Sequence, residues 1–311
     1  MGEGCVQDDR RNPSFETIRR AAQLHLPNTP MLWLTQRVLE LDEHLSAQLP
    51  EADAFERLMN VPGTVHREVK NRRTVEFVVA GRRYFIKAHR GAGWREVLKN
   101  LLYGRAPIVS AEPEWRAIEQ LRVAGVAVPV VAGKGLRGKA PAALESFIIT
   151  EALEGMISLE DMVKDWRGVR GCRRVLLKRV LLERIAEIAR RMHGAGLNHR
   201  DFYLCHFLVR DRDWTKWTPN DPVTLTLIDL HRVQRRERVP ERWLVKDLGG
   251  LLFSALDAGL TRRDLLRFLA AYRQQPWREV FQGEGKFWRK VWANAVRLYR
   301  PFHHREPPLS W

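Results

Sequence analysis

The sequence predicts an α+β chain of two unequal lobes, a small β-rich N-lobe with one main helix and a larger, mainly helical C-lobe. Three observations carry that expectation. Apolar and polar residues alternate between positions 64 and 88, the period-2 pattern of half-buried strands. Beyond Gly155 the period becomes helical, with Leu177, Val180, Leu181, Ile185, Ile188 and Met192 on one face. A short connector, 151–155, lies between the two patterns. The expected division is a loose N-terminal extension over 1–30, the N-lobe over 31–151 and the C-lobe over 152–311.

Residues 1–30 are polar, hold Pro13, Pro27 and Pro30 and show no sustained period, so they are expected to be poorly ordered and dispensable, with Met31 as an alternative start. Three strands follow, 64–70, 74–80 and 82–88, with Lys70-Asn71-Arg72-Arg73 and Ala80-Gly81 as the turns of a meander. Trp94, Val97, Leu98, Leu101 and Leu102 make a helical stripe that Gly104 ends, and Pro113, at a first-turn position, opens the main helix to Leu121. Strands are expected at 126–132 and 146–150. A long helix then runs to the glycines at 194 and 196, and short strands at 207–210 and 224–228 bracket a loop holding Pro219 and Pro222. The remainder reads as helical.

The chain has 311 residues, with 53 Lys and Arg against 37 Asp and Glu, a formal charge of +16 that calls for anionic partners. Cys5, Cys172 and Cys205 are too few and too scattered for a disulfide framework or a zinc site, which suits a reducing compartment. No run of apolar residues is long enough to span a membrane, and the acids Glu3, Asp8 and Asp9 stand where a signal peptide would be basic. The expectation is a cytoplasmic protein. A nucleic-acid binder is not expected, because the cations are spread over both lobes and no recognition module is visible.

The sharpest feature is His199-Arg200-Asp201-Phe202-Tyr203-Leu204-Cys205-His206, directly after a helix that stops at glycine. It matches the kinase catalytic loop H-R-D-x-x-x-x-N at every fixed position but the last. Phosphoryl transfer needs a carboxylate for the attacking hydroxyl, ligands for a metal and a cation on the phosphates. Asp201 fits the first need. Leu227-Ile228-Asp229-Leu230-His231 places a carboxylate at the end of an apolar strand, where kinases carry the metal-binding aspartate. Tyr84-Phe85-Ile86-Lys87 puts a lysine on an apolar strand, like the kinase V-A-I-K. Glu114, sharing a helix face with Ile118 and Leu121, is the chosen partner of Lys87, with Glu112 and Glu119 as alternatives. His199 and Asp247, the latter ahead of an apolar helix, are candidates to brace the catalytic loop. Lys70, Arg72 and Arg73 replace the absent G-x-G-x-x-G as cover for phosphates, and Glu151 closes the nucleotide site at the connector.

Those pieces, with Lys87-Ala88-His89-Arg90-Gly91, Lys99-Asn100-Leu101-Leu102, Glu114-Trp115, Asp229-Leu230-His231-Arg232 and Lys246-Asp247-Leu248, resemble the lipopolysaccharide core heptose kinase family, over roughly residue 37 to the C-terminus. The resemblance implies a protein-kinase-like fold, with ATP and Mg²⁺ used to phosphorylate the first heptose of the lipopolysaccharide inner core at the cytoplasmic face of the inner membrane. It also implies Lys87 on the α and β phosphates, Glu114 anchoring it, Asp201 as base and Asp229 as metal ligand. His206 stands at the position of the metal-binding asparagine, where imidazole suits hard Mg²⁺ poorly, so a second metal ion is in question.

No long activation segment ending in A-P-E follows Asp229, which points to a small or glycolipid acceptor rather than a protein. Arg232, Arg235 and Arg236 are candidates to clamp the acidic sugars flanking a heptose, since guanidinium pairs bidentately with carboxylates and phosphates. The stripe at Trp94 with Lys99 and Arg105, and the aromatic, basic stretch from Phe287 to Arg300, offer either core packing or an anionic membrane surface. Either could also dock the acidic acyl carrier protein. Aminoglycoside or choline-type phosphotransferases share the fold but carry H-G-D, and another lipopolysaccharide sugar kinase is a nearer rival.

Overall fold

A computed structural model describes residues 38–49, 52–69, 71–91, 110–140, 143–165 and 168–309. The expected N-terminal extension, Lys70 and the stripe from Trp94 to Leu102 lie outside the described residues.

Six antiparallel strands form the main sheet: β1 (Val38–Leu41), β2 (Thr64–Val69), β3 (Arg72–Val79), β4 (Arg82–His89), β5 (Val131–Arg137) and β6 (Glu145–Glu151). Their order is β1-β5-β6-β4-β3-β2, so β4 is central and β2 is an edge, exposed along its whole length. Two short helices, α1 (Glu43–Ser46) and α2 (Ala54–Met59), cover one face, where Leu45, Phe55, Leu58 and Met59 pack on Phe77, Tyr84, Ile86, Phe147 and Ile149. Helix α3 (Glu112–Val123) covers the other, through Trp115, Ile118 and Leu121 against Leu136 and Ile148. Side chains alternate along a strand, so Tyr84, Ile86 and Ala88 enter the first layer while Lys87 is turned toward α3.

The helical part begins with β7 (Met156–Ser158), α4 (Leu159–Asp165) and the long α5 (Gly171–Gly194), whose Leu177, Leu181, Ile185, Ile188 and Met192 are buried. After α5 come short strands, β8 (Leu197–Asn198), β9 (Phe207–Arg210), β10 (Thr226–Leu227) and β11 (Gln234–Arg235). Gly196 has φ of 77°, and a Cβ there would meet the Arg236 carbonyl oxygen at 2.0 Å, so the turn out of α5 requires glycine. Helices α6 (Glu241–Ala255), α7 (Arg262–Arg273) and α8 (Trp277–His303) close the lobe. On α8, Phe287, Trp288, Val291 and Tyr299 are buried while Arg289, Lys290, Arg297 and Arg300 face solvent. Its aromatic face is therefore spent on packing. No described helix is long and apolar enough to cross a membrane.

The α+β class is as expected, and several boundaries are not. The strand expected at 126–132 starts at Val131 instead, because Pro129 cannot donate to a ladder and Val126 N is taken by the Leu121 carbonyl at 2.9 Å. Its glycines hid the rest: a Cβ on Gly135 would meet the Phe147 ring at 2.5 Å. Arg72 and Arg73, expected in a turn, open β3, where they pair in register with His89 and Ala88 of β4. Ala80 and Gly81, with φ of 44° and 81°, make the two-residue turn that was expected. The strand expected over 224–228 shrinks to two residues, and β7, β8 and β11 arise in segments read as helical or loop.

Candidate active site

The site forms where the sheet meets the helical part, and each side chain reaches it for a local reason. Central β4 fixes Lys87 between Thr74 of β3 and Ile148 of β6. Its Nζ donates to Glu114 Oε1 at 2.5 Å, and Glu114 sits in the first turn of α3, 5% exposed. Of the alternatives, Glu112 pairs with Arg116 on its own helix and Glu119 with Lys134 of β5. The other oxygen of Glu114 is buried without a hydrogen-bond partner among the described residues.

The catalytic loop is held from below. Asp247, fully buried on α6, accepts from His199 N at 2.6 Å and from Arg200 N at 2.8 Å. That matches the bracing expected of it. His199 Nε2 lies 3.0 Å from the Ile228 carbonyl, and Ile228 N donates to the His206 carbonyl at 2.9 Å, which ties the loop to the strand end carrying Asp229. Burial pushes the His199 imidazole below its usual range, so it is neutral and structural. Arg200 and Asp229 both adopt left-handed backbone, φ of 76° and 62°, an uncommon conformation that clusters at functional sites.

Two histidines surround Asp229. His231 Nδ1 lies 2.6 Å from Asp229 Oδ1 and His206 Nε2 3.5 Å from Oδ2. Burial opposes ionisation of Asp229, but the hydrogen bond from His231 and the charges of His231, Lys87 and His206 outweigh it and hold the carboxyl well below the usual carboxylate range. His206 Nδ1 is engaged by the Asp201 carbonyl at 2.6 Å, and its ring stacks on His199 at 5.6 Å. Next to Lys87, burial together with the charges of Arg72, Lys87 and His231 pushes His89 down to about 4.

The arginines expected to clamp an acceptor are placed otherwise. Arg232 Nη1 donates to both oxygens of Asp201, at 2.9 and 2.8 Å. Arg236 donates to Asn198 Oδ1 at 2.5 Å and Gln234 Oε1 at 2.8 Å, bracing β8 against β11. Only Arg235 of the three is exposed, on β11. Arg232 is delivered to Asp201 by the three-residue 3-10 turn Leu230–Arg232, a turn too short to read from sequence. Ser254, near the end of α6, was not singled out for the site; its Oγ accepts from Leu204 N at 2.9 Å. Glu151 ends β6 opposite Tyr84, at the sheet's exit toward the helical part.

Comparison with known proteins gives the family. The model of the lipopolysaccharide kinase (Kdo/WaaP) family matches residues 56–272, which contain Lys87, Glu114, Asp201, Asp229 and Asp247. A protein of Pseudomonas aeruginosa named lipopolysaccharide core heptose(I) kinase WaaP is 44% identical over 261 residues, 84% of this chain and 96% of that protein. One of the same name from Escherichia coli is 41% identical over 84% of this chain and 97% of its own length. The solved structure of WaaP in complex with acyl carrier protein matches with a TM-score of 0.71 and 40% identity, over 84% of this chain and 99% of that one. The fold is thus the fold of WaaP. A lysine–glutamate pair facing two aspartates, within a sequence so similar over nearly the whole length of these proteins, places the chain in the lipopolysaccharide kinase (Kdo/WaaP) family.

Proposed function

We infer that the protein is an ATP-dependent sugar kinase that phosphorylates the first heptose of the lipopolysaccharide inner core. The observation that carries this reading is the Lys87–Glu114 pair set against Asp229 and a catalytic loop braced by Asp247.

In this reading Lys87 holds the α and β phosphates, with Arg72 and Arg73 close by at the start of β3 and Glu151 at the adenine end. The acceptor hydroxyl oxygen attacks the γ-phosphorus, the bond to the β-γ bridging oxygen breaks, and ADP leaves with its electron pair. Asp201 takes the hydroxyl proton. To do so it must exchange Arg232 for the acceptor, and the Arg232 side chain, 37% exposed, has water to move into.

The residues fit Mg²⁺ carried in on phosphate. Asp229 offers one ionised carboxylate, 34% exposed, and no three His, Cys, Asp or Glu side chains form a cage among the described residues. Held by Asp229, such an ion would neutralise charge on the phosphate oxygens. His206 is a poor ligand for so hard an ion.

The charge of +16 supports a peripheral position on an anionic membrane, which we assign to the cytoplasmic face of the inner membrane, where a nucleotide and the growing core meet. The solved complex of WaaP with acyl carrier protein supports the same partner here. Purified protein incubated with ATP and core-truncated lipopolysaccharide tests the assignment. One phosphate on the first heptose, located by mass spectrometry, is the expected product, and transfer to another sugar or none would overturn it.

A further inference from the structure

Beside the catalytic loop lies a cleft of about 590 Å³ that the mechanism above does not use. Tyr203, two residues past Asp201, forms one wall, and Arg242, Trp243 and Lys246 of α6 with Asn294 and Arg297 of α8 form the rest. Its volume is that of a small-molecule site. Its charge is one-sided: Glu241, its single carboxylate, is already held by Lys290 at 2.6 Å. Neither Arg242 nor Lys246 makes an ion pair among the described residues.

Trp243 is the centre of this arrangement. Arg200, Arg242 and Lys246 each stand 5.5 Å from its ring centroid and Arg236 5.4 Å, so four cations crowd one indole. Such crowding is unfavourable unless an anion relieves it. Burial, with the charges of Arg200 and Arg232, pushes the Lys246 ammonium below its ordinary value against the pull of Asp201 and Asp247. Lys246 therefore lies within electrostatic reach of the proposed base.

We propose that this cleft binds the carboxylate of an acidic sugar in the acceptor, Arg242 and Lys246 pairing with the carboxylate while Tyr203 and Trp243 flank the sugar ring. The inference rests on the sugar-kinase reading and moves the acid-recognition site from Arg236, which is engaged with Asn198 and Gln234, to the first turns of α6. Proximity to Asp201, whose charge Lys246 feels, favours a sugar of the acceptor over a protein as occupant. The acceptor's own phosphates carry the same charge, so the test separates them from its carboxylates.

The full chain is assayed on three forms of core-truncated lipopolysaccharide: intact, carboxyl-reduced and phosphate-stripped. The double variant Arg242→Gln with Lys246→Gln should raise the KM for the intact and the phosphate-stripped acceptors on the order of 100-fold, about tenfold for each charge-assisted hydrogen bond lost. Its KM for ATP should stay within about twofold of the parent's. On the carboxyl-reduced acceptor, parent and variant should be equal. The exposed Arg242→Gln alone should show the tenfold step with an unchanged melting temperature. Equal acceptor KM values overturn the proposal, as does a defect that vanishes on phosphate-stripped rather than carboxyl-reduced acceptor. Loss of acyl carrier protein binding with acceptor KM intact would assign the cleft to that protein and overturn it too. A parent inactive on every acceptor would instead refute the kinase reading. Equilibrium binding of a free octulosonic acid then decides the cleft by itself: at least tenfold weaker binding to the double variant supports it, and equal binding overturns it.

Discussion

Among the described residues Lys87 and Asp201 each form one ion pair, yet the two pairs are built for opposite ends. The Lys87 partner, Glu114, has a side chain only 6% exposed and sits in a helix locked under the sheet. The Asp201 partner, Arg232, has a side chain 37% exposed and sits on a three-residue turn. A charge pair with a buried member resists disruption, because breaking it leaves an uncompensated charge out of water. The Asp201 pair is more open, its carboxylate side chain 18% and its arginine side chain 37% exposed, so water can replace one partner as a ligand enters. The nucleotide half is therefore preset and the acceptor half exchangeable.

The sharpest way to break the comparison is to remove a member of the nucleotide half. Asp229→Asn should lower turnover on the order of a thousandfold, because the carboxylate that would hold the metal is lost. Next comes the support under both halves: Asp247→Ala strands the buried donors of His199 and Arg200, which should cost about 3 kcal/mol in urea unfolding and most of the activity. Glu114→Gln keeps the shape but frees Lys87, and should raise the KM for ATP roughly tenfold to a hundredfold while the acceptor KM holds. If the acceptor half is exchangeable, Arg232→Gln should change kcat by less than about tenfold and leave ATP binding unaltered. His206→Asn should have the smallest effect, measurable activity with a changed preference between Mg²⁺ and Mn²⁺, read by metal titration of the rate.

The halves also differ in how far the sequence revealed them. Lys87, Glu114 and the meander were legible because alternation along β4 and the helical spacing of Glu114, Ile118 and Leu121 are local patterns. Asp201, Asp229 and Asp247 were legible as a pattern shared with kinases. What no local pattern encodes is contact between distant segments. Arg232 on Asp201, Arg236 on Asn198 and the approach of Arg200 and Arg236 to Trp243 are set by 3-10 turns, two-residue strands and left-handed residues at 200 and 229. The run of arginines after Asp229 announced a charge but not its partner.

The central claim is a division of labour, with Asp201 acting on the acceptor hydroxyl and Lys87 with Asp229 acting on the nucleotide. Asp201→Asn tests it most directly, with ATP affinity by calorimetry and single-turnover transfer to core-truncated lipopolysaccharide measured on the same preparation. The expected result is ATP affinity within about twofold of the parent and transfer slowed by about 10²–10⁴-fold, the range of general base catalysis. Transfer within a fewfold of the parent, or loss of ATP binding in step with turnover, would contradict the account.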